Sequence, residues 1–280
     1  GAASLSTTLG VPAGSGLLAV TPAGGATVTG NDSVSVQVTG TLDQINATLT
    51  SLVFTPAADT NSTTTGGPVV LTMTTNDQGH TGSGGAKTDT DTVAITVNPA
   101  NDAPQFTIAD GTTITVNEDA GVQTFAGFAT DIAPGPAAAT DELGQALRFV
   151  LTVTGTTGGL SFLQAPTLTP DGTLTFASAA NSNGTATVSV VLMDSGSSTA
   201  PNVNTSAARL FTIRVNAVND APTLDPLTDL TIPEDAATRD VALIGITAGP
   251  ANEGSQALTV TATSSNPALI QDPVITYSSP

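Results

Sequence analysis

The sequence predicts an all-β protein of tandem β-sandwich domains, and three observations carry that prediction. A tetrapeptide recurs in register: Asn101-Asp102-Ala103-Pro104 returns as Asn219-Asp220-Ala221-Pro222, 118 residues later. Apolar and polar residues alternate with period two in many short runs, the pattern of half-buried strands. The composition suits strands: 280 residues with 51 Thr, 28 Gly and 18 Pro, 39% hydrophobic and only 10% charged. At about 100–200 residues per domain, that length makes two or three domains.

The period organises the chain. Each tetrapeptide follows a β-branched run, Val93 to Val97 or Phe211 to Val215, and precedes an acidic pair, Glu118-Asp119 or Glu234-Asp235. Gln145-Ala146-Leu147 returns as Gln256-Ala257-Leu258, and Leu52-Val53-Phe54 with Asn61 matches Leu174-Thr175-Phe176 with Asn183. Asp77-Gln78-Gly79 likewise matches Asp194-Ser195-Gly196. These matches divide the chain into three repeats. Residues 1–100 form one that lacks its N-terminal strands, 101–218 a complete one, and 219–280 the first half of a third. The opening Gly1-Ala2-Ala3-Ser4 reads as a cut from something longer. If the ends are native, β-augmentation between chains would complete them and give head-to-tail filaments.

Strands are expected at Val34–Val38, Val69–Thr75, Thr112–Val116, Leu147–Thr154, Thr185–Met193, Arg209–Val215, Arg239–Ile246 and Ala257–Thr263. Clusters of Gly, Pro, Asn and Asp separate them as turns. One segment departs from the pattern. Thr41-Leu42-Asp43-Gln44 fits a capping box, with Leu42, Ile45 and Leu49 on one helical face, so a short helix is expected in the first repeat.

Composition excludes several functions. Five Lys+Arg against 23 Asp+Glu give a net charge of −18, and nucleic-acid binding needs a basic surface to displace phosphate counterions. With no Cys there is no disulfide, thiolate metal site or thiol nucleophile. No apolar run reaches the roughly 20 residues that span a bilayer, so no direct membrane insertion is expected.

The Asn-Asp-Ala-Pro linker, the Glu-Asp pair after it and the closing strand before it resemble the cadherin-like, immunoglobulin-like tandem repeats of very large bacterial surface adhesins and matrix proteins. The resemblance covers all three repeats. It implies immunoglobulin-like or cadherin-like sandwiches with Ca²⁺ at the junctions between domains. Animal cadherins carry Asp-x-Asn-Asp-Asn-Ala-Pro there. Here Val97 to Pro104 keeps Asn-Asp and Ala-Pro but lacks the leading Asp, so the full linker site of that family is not matched.

Hard oxygen ligands suit Ca²⁺. At the second junction the candidates are Glu118, Asp119, Asn219, Asp220 and Asn252 or Glu253; at the first they are Asn101, Asp102, Asp131 and Asp141-Glu142. The competing explanation is turn chemistry alone, with Pro fixing φ and Asn or Asp capping local backbone. Asp89 and Asp91 share one strand face, with Asp77 in the preceding loop; a cation there competes with a charged edge strand that resists aggregation.

Catalytic readings find little support. Asp194-Ser195-Gly196 looks like an aspartic-protease triplet, but Asp77-Gln78-Gly79 at the same repeat position assigns it to a loop. His80, the sole imidazole, lies in a Gly-rich loop without the Lys-Ser/Thr ending of a P-loop. No EF-hand loop is present, and five Asn-x-Ser/Thr sequons are what chance supplies in so Thr-rich a chain. The expected function is a non-catalytic spacer of an extracellular surface protein, rigidified by Ca²⁺ or polymerised through neighbouring copies. The alternative is an adhesin module that binds carbohydrate or a cell surface. That alternative needs exposed aromatics, and the chain has no Trp, one Tyr and eight Phe.

Overall fold

Alternating residues become strands where a neighbouring strand supplies backbone partners and a second layer covers the apolar face. A computed structural model describes residues 4–80, 83–109 and 111–279; Gly1–Ala3 and the Thr81–Gly82 part of the His80 loop lie outside the described residues. The chain forms two compact units, one of residues 1–107, 131–148 and 192–207, the other of 108–130, 149–191 and 208–280.

In the first unit the strands are β1 (Leu5–Gly10), β2 (Gly16–Ala19), β3 (Thr27–Thr29), β4 (Ser35–Gly40), β5 (Val53–Pro56), β6 (Val69–Asn76) and β7 (Thr88–Ile95), with helix α1 (Leu42–Leu49) between β4 and β5. They make a five-stranded sheet in the order β3-β4-β1-β6-β7 and a two-stranded sheet of β2 and β5. Alternation sets the faces as expected. Val36 and Val38 are fully buried, Ser35 and Gln37 exposed. Leu9, Leu18, Ile45 and Leu71 complete the core.

Helix α1 begins at the predicted capping box. Thr41 Oγ1 accepts the Gln44 N–H, and Gln44 Oε1 accepts the Thr41 N–H at 2.9 Å. Its buried face differs from the expected one. Ile45 and Thr48 are buried, whereas Leu42 is 59% exposed because it sits at the first helical position, ahead of the sheet. Thr48 is buried because its hydroxyl accepts the Ala23 N–H.

The next strands are β8 (Gln105–Thr107), β9 (Thr113–Asn117), β10 (Gln123–Phe125), β11 (Thr130–Ala133), β12 (Arg148–Thr157), β13 (Phe162–Leu168), β14 (Leu174–Ser178), β15 (Gly184–Met193) and β16 (Arg209–Asn216). Strands β8 and β11 pair with each other. A four-stranded sheet runs β12-β15-β16-β9, and a three-stranded sheet runs β10-β14-β13. Strand β9 lies parallel to β16, Val116 opposite Val215. Phe176 stacks on Phe125 with centroids 5.9 Å apart and meets Phe162 edge-on, while Phe128 meets Phe211 edge-on at 4.8 Å. Phe176, Val188, Val190 and Ile213 are fully buried, each contributing about 1.5–3 kcal/mol of apolar burial. The fold is thus all-β, built of packed β-sheets in the manner of β-sandwiches, as the sequence predicts.

One expectation fails. Arg239–Ile246 and Ala257–Thr263 form no strands: beyond Asn216 the described chain has only a bridge between Thr223 and Thr247 and a 3₁₀ turn at Ala251–Glu253. The alternation is present but no partner strand is, so Leu230, Val241 and Ile244 are 57%, 52% and 63% exposed. A period-two pattern specifies a face and does not supply the ladder.

Candidate functional site

Two acidic turns hold the two Asn-Asp-Ala-Pro segments, called the first and second linker for their place in the sequence repeat, and they are built alike. At the first, Thr140–Glu142 forms a 3₁₀ turn after Gly135-Pro136. Its buried Glu142 presents Oε1 to the Asp102 N–H at 2.6 Å. At the second, Ala251–Glu253 forms a 3₁₀ turn after Gly249-Pro250, and buried Glu253 Oε1 accepts the Asp220 N–H at 3.0 Å. Glycine is required beneath each carboxylate. A Cβ at Gly135 would collide with Glu142 Oε2, and one at Gly249 would lie 2.7 Å from Glu253 Oε2.

Asn101 ties the first linker down. Its N–H donates to Asn202 Oδ1 at 2.7 Å, its Nδ2 reaches Val203 O at 2.7 Å and Asp194 Oδ1 at 3.2 Å, and its Oδ1 accepts Gln145 Nε2 at 2.6 Å. Asp194, dismissed above as loop chemistry, is buried and also accepts the Gly196 N–H at 2.7 Å. Asn61 Nδ2 donates to Asp141 Oδ2 at 3.0 Å.

At the second linker Glu118, only 2% exposed, follows β9 and takes the central place. Its Oε1 accepts the Val218 N–H at 2.8 Å and Asn252 Nδ2 at 3.3 Å; its Oε2 accepts Asn183 Nδ2 at 3.2 Å. Asp119, at φ +60°, accepts the Asn181 N–H at 3.0 Å. Asn219 Nδ2 donates to the Asp220 carbonyl at 3.0 Å.

Several buried oxygens are left without a hydrogen-bond partner: Glu142 Oε2, Asp194 Oδ2 and Gln145 Oε1 at the first linker, Asp220 Oδ2 and Glu253 Oε2 at the second. Electrostatics agree. Burial pushes the Asp102 carboxyl above the ordinary carboxylate range, and the charges of Asp59 and Asp141 add to it. Burial raises Glu142 as well, opposed by the Asp102 N–H and reinforced by Asp102, Asp141 and Asp194. For Asp220 burial leads again, followed by Glu253, Asp119 and Glu118. No basic side chain acts on any of the three.

The donor set fits a hard cation. All unmatched atoms are carboxylate or amide oxygens, the ligands Ca²⁺ takes, and a buried unpaired acceptor costs about 1–3 kcal/mol. Among the described residues no three His, Cys, Asp or Glu side chains group closely enough to hold a metal by themselves. Amide and backbone oxygens would have to complete the coordination.

The remaining candidates are Asp131, Asp77, Asp89 and Asp91. Asp131 is exposed in β11 at φ +52°. Asp77 Oδ1 accepts the N–H groups of Lys87 at 2.7 Å and Gly79 at 2.9 Å, which hold its carboxyl below the ordinary range. Asp89 and Asp91 are exposed on β7, opposite Thr75 and Met73, at the edge of the sheet. Gln145, Asn61, Asn183 and Asp194 joined the site beyond the candidates named from the sequence. The internal matches of Gln145 with Gln256 and Asn61 with Asn183 are the signal that could have found them.

The chain matches no family model, and no curated protein matches it. It is similar in structure to mouse cadherin-23 EC22-24, with 18% identity over 80% of this chain and 57% of that one, at a TM-score of 0.37. It is likewise similar to mouse protocadherin-24 EC1-3, with 16% identity over 71% of this chain and 59% of that one, at a TM-score of 0.32. The tandem Ig repeats of Dlar match 78% of this chain and 92% of theirs, with 12% identity and a TM-score of 0.23. The chain thus spans under two thirds of either cadherin chain.

Proposed function

We propose that this chain is a non-catalytic spacer segment of an extracellular surface protein, whose repeats at 1–100, 101–218 and 219–280 are joined by linkers stiffened with Ca²⁺. The observation that carries the reading is the duplicated clasp, Asp102 on Glu142 and Asp220 on Glu253, each with a buried oxygen left over. Turn chemistry alone explains a capped linker. It does not explain carboxylates buried together without a basic partner, where like charges oppose the fold.

Glu142, Asp194 and the Gln145 amide would hold an ion at the first linker, and Asp220 and Glu253 with Asp119 at the second. Bound there, Ca²⁺ supplies positive charge and coordination for oxygens that lack hydrogen-bond donors. The chain's own residues do the positioning: Asn101 fixes the first linker, Glu118 gathers Val218, Asn183 and Asn252, and the two glycines admit the carboxylates. None of the eight Phe side chains is exposed, which leaves a carbohydrate-binding module without a stacking platform.

The test is thermal melting of the full chain in excess Ca²⁺ and in chelator. A melting temperature that rises with Ca²⁺ concentration supports the proposal. A temperature identical in both, with scattering curves that superpose, overturns it.

A further inference from the structure

We propose that β9 and β16 form a shear clamp, braced at one end by the buried carboxylate of Glu118, through which the second unit resists tension along the chain. The inference rests on the spacer part of the reading above and is independent of its Ca²⁺ part.

Strand direction is the first observation. Strand β9 runs parallel to β16 from Thr113 beside Thr212 to Asn117 beside Asn216, within one unit. Two backbone bonds extend the ladder past these pairs: the Thr212 N–H donates to Thr112 O, and the Glu118 N–H to Asn216 O, both at 2.9 Å. The chain enters β9 beside Thr212 and leaves β16 beside Asn117. Tension therefore draws β9 toward its N-terminal end and β16 toward its C-terminal end, in opposite directions along one axis. The ladder bonds are then strained together. Strand β15 differs, because it pairs antiparallel with β16, Gly184 beside Val215. Tension applied to that end of the pair would open its bonds one at a time, so β9 shields the weaker ladder behind it.

Glu118 supplies the second observation. It is the residue after β9 and is 2% exposed, and burying a carboxylate costs free energy unless hydrogen bonds replace its water. Its Oε1 accepts the Val218 N–H at 2.8 Å and Asn252 Nδ2 at 3.3 Å, and its Oε2 accepts Asn183 Nδ2 at 3.2 Å. Val218 is two residues past the end of β16, and Asn183 directly precedes β15. One side chain thus ties the end of β9 to the exit of β16 and the entrance of β15, where the pull on β16 is applied. Bonds to an ionised acceptor are the stronger kind, which suits a brace better than an apolar residue would.

Packing holds the two strands in register. Ile114 of β9 and Phe211, Ile213 and Val215 of β16 are buried, so sliding one strand along the other would also pull apolar side chains from the core. In a parallel ladder alternate residues of one strand bond the other, and the bonds of Thr112 and Glu118 put Ile114 and Val116 in that set. The Thr115 N–H points away from β16, and β9 is the last strand of its sheet. Proline at Val116 therefore removes a clamp bond, while proline at Thr115 removes none.

Single-molecule pulling of the full chain by its two ends tests the clamp, since forced unfolding reads the barrier directly. The rupture that frees the second unit, recognised by the length of chain released, should need several-fold more force than when one handle is moved to Val122→Cys. The chain has no other cysteine, and Val122 is 61% exposed just past β9, so pulling there peels the ladder from its Glu118 end. With end-to-end pulling, Val116→Pro should lower the force and Thr115→Pro leave it. Glu118→Ala should lower it more than Phe176→Leu, a core change outside the clamp, even where Phe176→Leu costs more equilibrium stability. All these contacts lie within the chain, so the force should persist in chelator. Equal forces in the two pulling geometries, or equal effects of the two prolines, overturn the clamp; a force unchanged by Glu118→Ala overturns the brace. A chain without the clamp whose melting temperature still rises with Ca²⁺ loses this proposal alone, and one with the clamp but no such rise loses the Ca²⁺ reading alone.

Discussion

The Asp102 N–H donates to Glu142 Oε1 at 2.6 Å, and the same bond joins Asp220 to Glu253 at 3.0 Å. Each glutamate keeps its second oxygen buried without a partner. A charge-assisted bond to a backbone N–H is worth about 1.5–3 kcal/mol, while the unmatched oxygen and the nearby carboxylates work against it. A cation shifts that balance, and the consequences can be measured.

Glu142→Gln keeps an oxygen for the Asp102 N–H and removes a charge. In chelator it should equal or exceed the wild type in stability to denaturant, and it should respond less to Ca²⁺. Glu142→Ala removes the acceptor and should lose about 1.5–3 kcal/mol even in chelator.

Asp102, Glu142 and Asp220 are raised above their ordinary values of 3.8, 4.5 and 3.8. A carboxyl raised in the folded state binds more protons folded than unfolded between its ordinary and its raised value, so these groups lose stability as pH rises through that window. In chelator, acidification from neutrality towards the top of that window should raise the melting temperature. With saturating Ca²⁺ the trend should reverse, because the ion requires ionised ligands. Asp77 and Asp171 are lowered by hydrogen bonds and contribute the opposite slope, which appears only as pH falls below 3.8. Calorimetric scans across pH, with and without chelator, separate these effects.

Phe176→Ala should destabilise the second unit by about 3–5 kcal/mol, because the side chain is fully buried between Phe125 and Phe162. Phe54, at the matching position but half-buried, should cost less on the same substitution. Denaturant unfolding of the two variants measures the difference.

Thr41→Ala removes one half of the α1 capping box and should cost about 1 kcal/mol. Thr41→Asn should restore most of it. Denaturation monitored in the far ultraviolet checks both.

Much of the fold was legible because alternation reports burial directly: Val36, Val38, Ile213 and Val215 face inward as their spacing requires. The capping box was legible because it is written in four consecutive residues. After Asn216 the alternation misled, because a period-two pattern specifies a face and does not supply a ladder. At the site, motif residues Asp102, Glu118 and Asp220 stood out through the repeat. Asp194, Gln145 and Asn61 recur through the repeat as well, but as neutral or loop residues they carried no sign of a shared site until folding brought them to Asn101 and Asp141. Asp89 and Asp91 drew notice as a charge pair, and both lie exposed on the edge strand β7.

Calorimetric titration of Ca²⁺ into the chelator-stripped full chain tests the central claim most directly. The account predicts saturable binding in the wild type, weakened by Glu142→Gln or Glu253→Gln alone and abolished when the two are combined. An absence of saturable binding, or binding that survives unchanged in the double variant, would contradict it.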